Sequence, residues 1–150
     1  MAEALTIQVD VVSAEGELFS GAAAVVFAPA SQGDLGIYPR HAPLLSLLKP
    51  GEVRVQTPDG EEHHFFVGGG ALEVQPNKVT VLADTALRAK DIDEAAALAA
   101  KQRAEEALRD KVGHITIAEA QAELARAIAQ LKLIARLRVG GLGHVMSARL

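Results

Sequence analysis

Three groups of residues in this 150-residue chain have types that could do chemistry: the pair His63-His64, the run Gly68-Gly69-Gly70, and the polar residues Asp34, Arg40 and His41 inside the Gly- and Pro-rich segment 33–45. Adjacent residues of a strand point to opposite faces, so His63 and His64 are not placed to share one metal ion and read as solvated or hydrogen-bonded histidines. The glycine run lacks the Gly-Lys-Ser/Thr that a phosphate loop requires, and the chain contains neither a Gly-x-Ser-x-Gly elbow nor a His-Glu-x-x-His zinc motif. With no cysteine, disulfides, thiol catalysis and Cys-ligated zinc are all excluded, which fits a cytosolic protein. The residues therefore predict no catalytic group and no metal site. What remains is recognition.

The segment 33–45, Gly-Asp-Leu-Gly-Ile-Tyr-Pro-Arg-His-Ala-Pro-Leu-Leu, concentrates conformational constraint. Gly33 and Gly36 permit positive φ, and Pro39 and Pro43 fix φ near −65° while pushing Tyr38 and Ala42 into extended conformations. Leu35, Ile37, Leu44 and Leu45 read as buried, leaving Asp34, Arg40 and His41 pointing outward. The pattern predicts a fixed irregular shape, either a binding edge or a well-ordered structural loop.

The elements that must hold it are written in two alphabets. All six prolines, all five aromatics and nine of the thirteen glycines precede residue 77. In that half, Leu5-Thr6-Ile7-Gln8-Val9-Asp10-Val11-Val12 alternates apolar and polar with the period of a half-buried strand. Glu15-Gly16 turns into Leu18-Phe19, and further strands are expected at 24–27, 44–48, 52–56, 63–67, 70–74 and 79–82. Phe19, Phe27, Phe65 and Phe66 read as core. Short strands separated by Lys49-Pro50-Gly51, Thr57-Pro58-Asp59-Gly60 and Gln75-Pro76-Asn77-Lys78 predict a β-sandwich or flattened barrel.

Beyond Leu87 the pattern is helical. Asp91 with Glu94 resembles a capping box opening a helix over 91–110. Lys111-Val112-Gly113-His114 breaks it, and Thr116 with Glu119 opens a second helix over 116–138. So short a connection predicts antiparallel neighbours. The fold class is α+β: an N-terminal antiparallel β-sandwich over 1–88 and a C-terminal antiparallel α-helical hairpin over 89–150. Fourteen alanines between 92 and 138 give strong helix propensity but little side-chain area to bury, the energetic profile of a mobile arm.

Residues 1–88 carry eleven acids and five bases, whereas 116–150 carry Glu119 and Glu123 against Arg126, Lys132, Arg136, Arg138 and Arg149. Acids early and bases late suit a helix dipole; the alternative is a basic end that docks on an acidic partner. The net charge of −4, a single Tyr and no Trp argue against nucleic acid. No apolar run approaches the roughly 18 residues needed to cross a bilayer, and residues 1–5 are too short and uncharged for a signal peptide, so membrane association is expected only through a partner.

The order of these blocks resembles the epsilon-subunit family of bacterial F-type ATP synthases over nearly the whole length. The resemblance is carried by Asp10-Val11-Val12-Ser13-Ala14-Glu15, by Gly33-Asp34-Leu35-Gly36-Ile37-Tyr38-Pro39 with His41-Ala42-Pro43-Leu44-Leu45, by Gly69-Gly70 with Leu72-Glu73-Val74, by Val79-Thr80-Val81-Leu82-Ala83-Asp84-Thr85-Ala86, and by Ala122-Glu123-Leu124-Ala125 with Ala127-Ile128-Ala129-Gln130-Leu131. It implies a non-catalytic subunit of the rotor stalk, peripheral on the cytoplasmic side of the inner membrane. In the family the sandwich binds the gamma subunit and sits on the c-subunit ring, and the hairpin can extend toward the alpha and beta subunits to inhibit ATP hydrolysis. Ser31, Gln32, Gly33 and Asp34 then match the c-ring contact, and His41, Ala42 and Pro43 the approach to gamma. Arg126, Lys132, Arg136 and Arg138 match the inhibitory helix, facing the acidic segment that beta presents.

Arg88, Asp93, Arg103 and Arg126 resemble the family's nucleotide-binding positions. In Ile92-Asp93-Glu94-Ala95-Ala96-Ala97, however, Ala96 stands where the ATP motif has arginine, so regulatory ATP binding is expected to be weak or absent and no cofactor is expected. The tail after Arg138, with Gly140-Gly141 and Gly143, lies outside the matched blocks. The competing reading is an unrelated β-sandwich binding module with a helical oligomerisation hairpin.

Overall fold

A computed structural model describes residues 5–110 and 116–149, the residues from 140 onward by backbone alone. The chain divides after Arg88 into two compact units. The first is built from ten strands: β1 (Ile7–Ser13), β2 (Gly16–Ala23), β3 (Val25–Ala30), β4 (Gly33–Ile37), β5 (Leu44–Leu48), β6 (Gly51–Gln56), β7 (Glu62–Val67), β8 (Gly70–Gln75), β9 (Lys78–Ala83) and β10 (Ala86–Arg88). They run in the order β10-β7-β6-β3-β5-β8-β9-β1-β2, with β4 on the other edge of β3. Every pairing is antiparallel except β1 with β9, where Gln8 lies opposite Lys78 and Ser13 opposite Ala83. The period-two pattern of β1 puts Ile7, Val9 and Val11 inside, where they meet Val26, Ile37, Val53, Val55, Phe65, Leu72, Val74, Val79 and Val81 in one continuous core.

Several expectations change. The first half of segment 33–45 is not irregular: Gly33–Ile37 is strand β4, paired with β3 from Ala30↔Gly33 to Val26↔Ile37. Gly36 is an ordinary strand residue, and only Gly33 of the two has positive φ (+140°). A Cβ at Gly36 would lie 3.1 Å from the Phe27 ring, so close packing explains this glycine. Leu45 is 76% exposed rather than buried, because Leu44, Ser46 and Leu48 take the inward face. Phe65 and Phe66 are buried, but Phe19 and Phe27 are only partly so. Phe19 packs on the His63 ring at 5.0 Å, and the Arg54 guanidinium sits 4.2 Å from the centre of the Phe27 ring.

The second unit is a helical pair, α1 (Glu94–Asp110) and α2 (Ile117–Arg149). A 3-10 turn over Ala89–Asp91 precedes α1, and the cap is Asp93, whose carboxylate accepts the Ala96 N–H at 3.1 Å, not the Asp91–Glu94 box. The box at α2 is formed: Glu119 N–H donates to Thr116 Oγ1 (3.1 Å) and Thr116 N–H to Glu119 Oε2 (3.4 Å). The expected break at Lys111-Val112-Gly113-His114 lies outside the described residues.

Ala97 and Ala104 of α1, seven apart, and Ala120, Ala127 and Leu133 of α2 are buried, as expected for backbones brought close by small side chains. Glu94–Arg138 (2.8 Å) and Arg103–Glu123 (3.3 Å) pair positions that advance along α1 as they retreat along α2, which makes the pair antiparallel. The second helix does not end near 138 but stays helical through Gly140, Gly141 and Gly143 to Arg149, although each mid-helix glycine costs about 1 kcal/mol relative to alanine. The bases at 126–138 therefore lie well inside α2. Macrodipole effects are confined to the last turn, so the dipole does not explain them.

Candidate functional site

β3 and β4 are joined by the two-residue turn Ser31-Gln32, closed by Ala30↔Gly33. Ser31, Gln32 and Asp34 are exposed on this tip, and the positive φ of Gly33 makes the tight return possible. Beside the tip lies an open groove of about 520 Å³, lined by residues 30–35 on one side and by Leu44, Leu45, Ser46 and Leu47 on the other.

After β4 the chain turns through Tyr38-Pro39-Arg40-His41. The His41 N–H donates to the Tyr38 carbonyl at 3.2 Å and the Arg40 N–H to the Pro76 carbonyl at 2.8 Å. His41 Nδ1 lies 2.7 Å from the Ala42 carbonyl and so carries the proton in that contact. Ala42 and Pro43 are exposed, as is Tyr38 at 59%. Arg40 holds φ of +67°, a left-handed conformation that costs a non-glycine residue about 1–2 kcal/mol. Arg40→Gly removes that cost but adds unfolded-state entropy, so a net gain of about 0.5–1 kcal/mol is expected, read as a higher denaturation midpoint. A lower midpoint would mean that the guanidinium contributes more than the backbone loses.

The outer face of the sheet supplies residues that hydrophobicity alone placed in the core or left unremarked. Leu47 lies opposite Ala71, Ala71 opposite Leu82 and Leu82 opposite Val12, and directly paired residues share a face. Leu47 is 68% and Leu82 50% exposed, so an apolar stripe crosses β5, β8, β9 and β1. The next row holds Leu45, Glu73, Thr80 and Asp10. Asp10 accepts from Ser20 Oγ (2.8 Å) and Gln8 Nε2 (3.1 Å) and pairs with Lys78 (3.1 Å). The Ser20 hydroxyl above all, with Gln8 and Lys78, holds its carboxyl below the usual range against the opposing cost of desolvation.

The two adjacent histidines point apart. His63 packs on Phe19 with Glu61 at 3.6 Å, while His64 sits between Glu52 (3.0 Å) and Glu62 (3.3 Å). Among the described residues no group of three or more His, Cys, Asp or Glu is placed to hold a metal ion. The glycine run is a strand corner: Gly68 N–H donates to Thr85 O, Asp84 N–H to Gly69 O, and Gly69 and Gly70 have φ of +119° and +133°.

Three of the four nucleotide candidates are engaged locally. Arg88 donates to the Leu18 carbonyl at 3.0 Å, Asp93 caps α1, and Arg103 pairs with Glu123. Asp93 and Arg103 stand ten residues apart along the chain, roughly 15 Å along a helix, and are not brought together. Arg126 is half-buried, Lys132 is exposed, Arg136 is exposed and engaged, and Arg138 holds Glu94.

Comparison with known proteins covers both units. The ATP synthase delta/epsilon chain β-sandwich domain matches residues 6–89, and the delta/epsilon long alpha-helix domain matches residues 90–135. The ATP synthase epsilon chain of Nitrosococcus oceani is 67% identical over 135 residues, covering 90% of this chain and 96% of the relative. That of Halorhodospira halophila is 61% identical, covering 89% and 95%. Among solved structures, a chain of the Euglena gracilis mitochondrial ATP synthase OSCP/F1/c-ring assembly shares the fold with a TM-score of 0.67 at 17% identity, over 90% of this chain and 81% of that one. These matches remove the reading as an unrelated sandwich module: with its sandwich and its helices each matched in order, the chain belongs to the ATP synthase delta/epsilon chain family, and its bacterial relatives are epsilon chains.

Proposed function

We propose that the protein is the non-catalytic epsilon subunit of an F-type ATP synthase central stalk, that its sandwich binds gamma and rests on the c-ring, and that its helical pair restrains ATP hydrolysis. The observation that carries this reading is the division of the chain after Arg88, which lies beside the junction at residues 89 and 90 between the two family domains. The site geometry supports the assignments. The exposed tip of Ser31, Gln32, Gly33 and Asp34 is a projecting, acid-bearing turn suited to the c-ring. His41, Ala42 and Pro43 and the stripe through Leu47 and Leu82 form a surface for gamma. In this reading contact with the bilayer is indirect, through the c-ring, on the cytoplasmic side; among the described residues no helix is long and apolar enough to cross a membrane.

The test is recovery of gamma by a polypeptide of residues 1–88. Retention comparable to the full chain is expected, and no recovery by either would refute the assignment.

For regulatory ATP the reading is negative. Ala96 replaces the motif arginine, the Asp93 carboxylate is committed to capping and the Arg103 guanidinium to Glu123. Titration calorimetry of the full chain is expected to show no binding heat at low-micromolar ATP, and saturation in that range would overturn it.

A further inference from the structure

β5 is fully paired on only one edge. Toward β8 it is in register from Leu44↔Val74 to Leu48↔Gly70. Toward β3 the register is the single pair Ala30↔Leu48, flanked by hydrogen bonds from Ser31 N–H to Leu47 O (2.8 Å) and from Lys49 N–H to Pro29 O (3.0 Å). The N–H and C=O of a strand residue point to one edge and those of the next residue to the other. Leu47 faces β3, so the N–H and C=O of Leu45 leave by the same edge. There β3 has already turned at Ser31-Gln32, and among the described residues no strand continues the ladder. The open groove of about 520 Å³ lies between that edge and the β3–β4 tip. Leu45 and Leu47 stand exposed on one face beside it.

We infer that this groove is a strand-addition site, filled by an extended segment of the gamma chain that exchanges backbone hydrogen bonds with Leu45 and lays alternate apolar side chains on Leu45 and Leu47. The inference rests on the reading of the sandwich as the gamma-binding unit. An unpaired donor and acceptor on one strand edge are met together by another backbone, while neighbouring leucines supply area and side-chain selectivity. Asp34 on the tip lines the groove with negative charge, so the segment carries Lys or Arg near the end that meets the tip. A second copy of this chain is a poor occupant, because its own β5 edge is recessed behind the same tip.

Hydrogen exchange with residue-resolved fragmentation, on the full chain alone and bound to gamma, tests this. The Leu45 amide is expected to slow by about tenfold or more on binding, while Leu44 and Ser46, already paired to β8, change little. Leu45→Pro deletes the groove-facing donor and leaves the β8-facing donors of Leu44, Ser46 and Leu48 in place. It should lower gamma recovery about tenfold with the thermal transition retained. A gamma complex in which Leu45 exchange is unchanged overturns strand addition and leaves the gamma assignment standing. Failure of the unsubstituted chain to bind gamma removes both. Concentration-dependent protection of Leu45 without gamma would assign the groove to a second copy and overturn the inference.

Discussion

Gly70→Ala should lower the midpoint of sandwich unfolding by more than about 15 °C, whereas Gly16→Ala should lower it by no more than about half as much. The two glycines share a backbone conformation that L-residues rarely adopt, with φ of +133° and +138°. They differ in what surrounds them. A Cβ at Gly16 would meet nothing within 4 Å, but at Gly70 it would lie 2.1 Å from the Leu82 carbonyl oxygen and 2.9 Å from the Ala83 Cα. Both are backbone atoms of β9, so no side-chain rotation relieves the collision, and β8 must separate from β9 where Gly70 pairs with Ala83. Conformational strain alone costs about 1–3 kcal/mol, and the collision should bring Gly70→Ala to about 4 kcal/mol or more, a large share of the roughly 5–15 kcal/mol that stabilises a domain. Equal midpoints for the two variants would show that β8 and β9 adjust freely.

The strand core was legible because burial on one face writes a period of two directly into the chain, as in Ile7, Val9 and Val11 of β1. Three things were not. β4 was hidden because Gly33 and Gly36 read as breakers, although one serves the turn and the other makes room for Phe27. The run Leu44-Leu45-Ser46-Leu47-Leu48 is apolar on both faces, so composition could not say that Leu45 and Leu47 face outward; only pairing with β8 decides it. The cap of α1 moved from Asp91 to Asp93 because a 3-10 turn occupies Ala89–Asp91, a choice between two acids two residues apart. The polar tip of Ser31, Gln32, Gly33 and Asp34 was reached through the family resemblance alone, because with β4 hidden there was no second strand for a short turn to join. The outer apolar stripe needed the sheet, because Leu47, Ala71, Leu82 and Val12 are brought together by register across four strands.

Removal of residues 89–150 is expected to leave gamma binding and coupled synthesis largely intact while raising ATP hydrolysis by the assembled enzyme. The sandwich core is built wholly from residues before Arg88, so truncation removes none of it. If the helical unit holds about nine in ten complexes inhibited, a preference of about 1.4 kcal/mol, its loss should raise hydrolysis on the order of tenfold. The basic residues sharpen the test. With α2 running to Arg149, Arg126, Lys132, Arg136 and Arg138 lie too far from its end to serve the dipole. Arg138 has an internal role with Glu94, and Arg136 has an interaction of its own. Lys132 is exposed, so it is the cleanest probe of docking on an acidic surface. Lys132→Glu should therefore reproduce part of the deletion phenotype, with an effect that shrinks as ionic strength rises, because an attraction between exposed charges is screened within about 10 Å at 0.1 M salt. Hydrolysis unchanged by the deletion would separate the helical unit from inhibition altogether. A deletion effect without a Lys132 effect would place the inhibitory contact elsewhere on the helical unit than at this basic position.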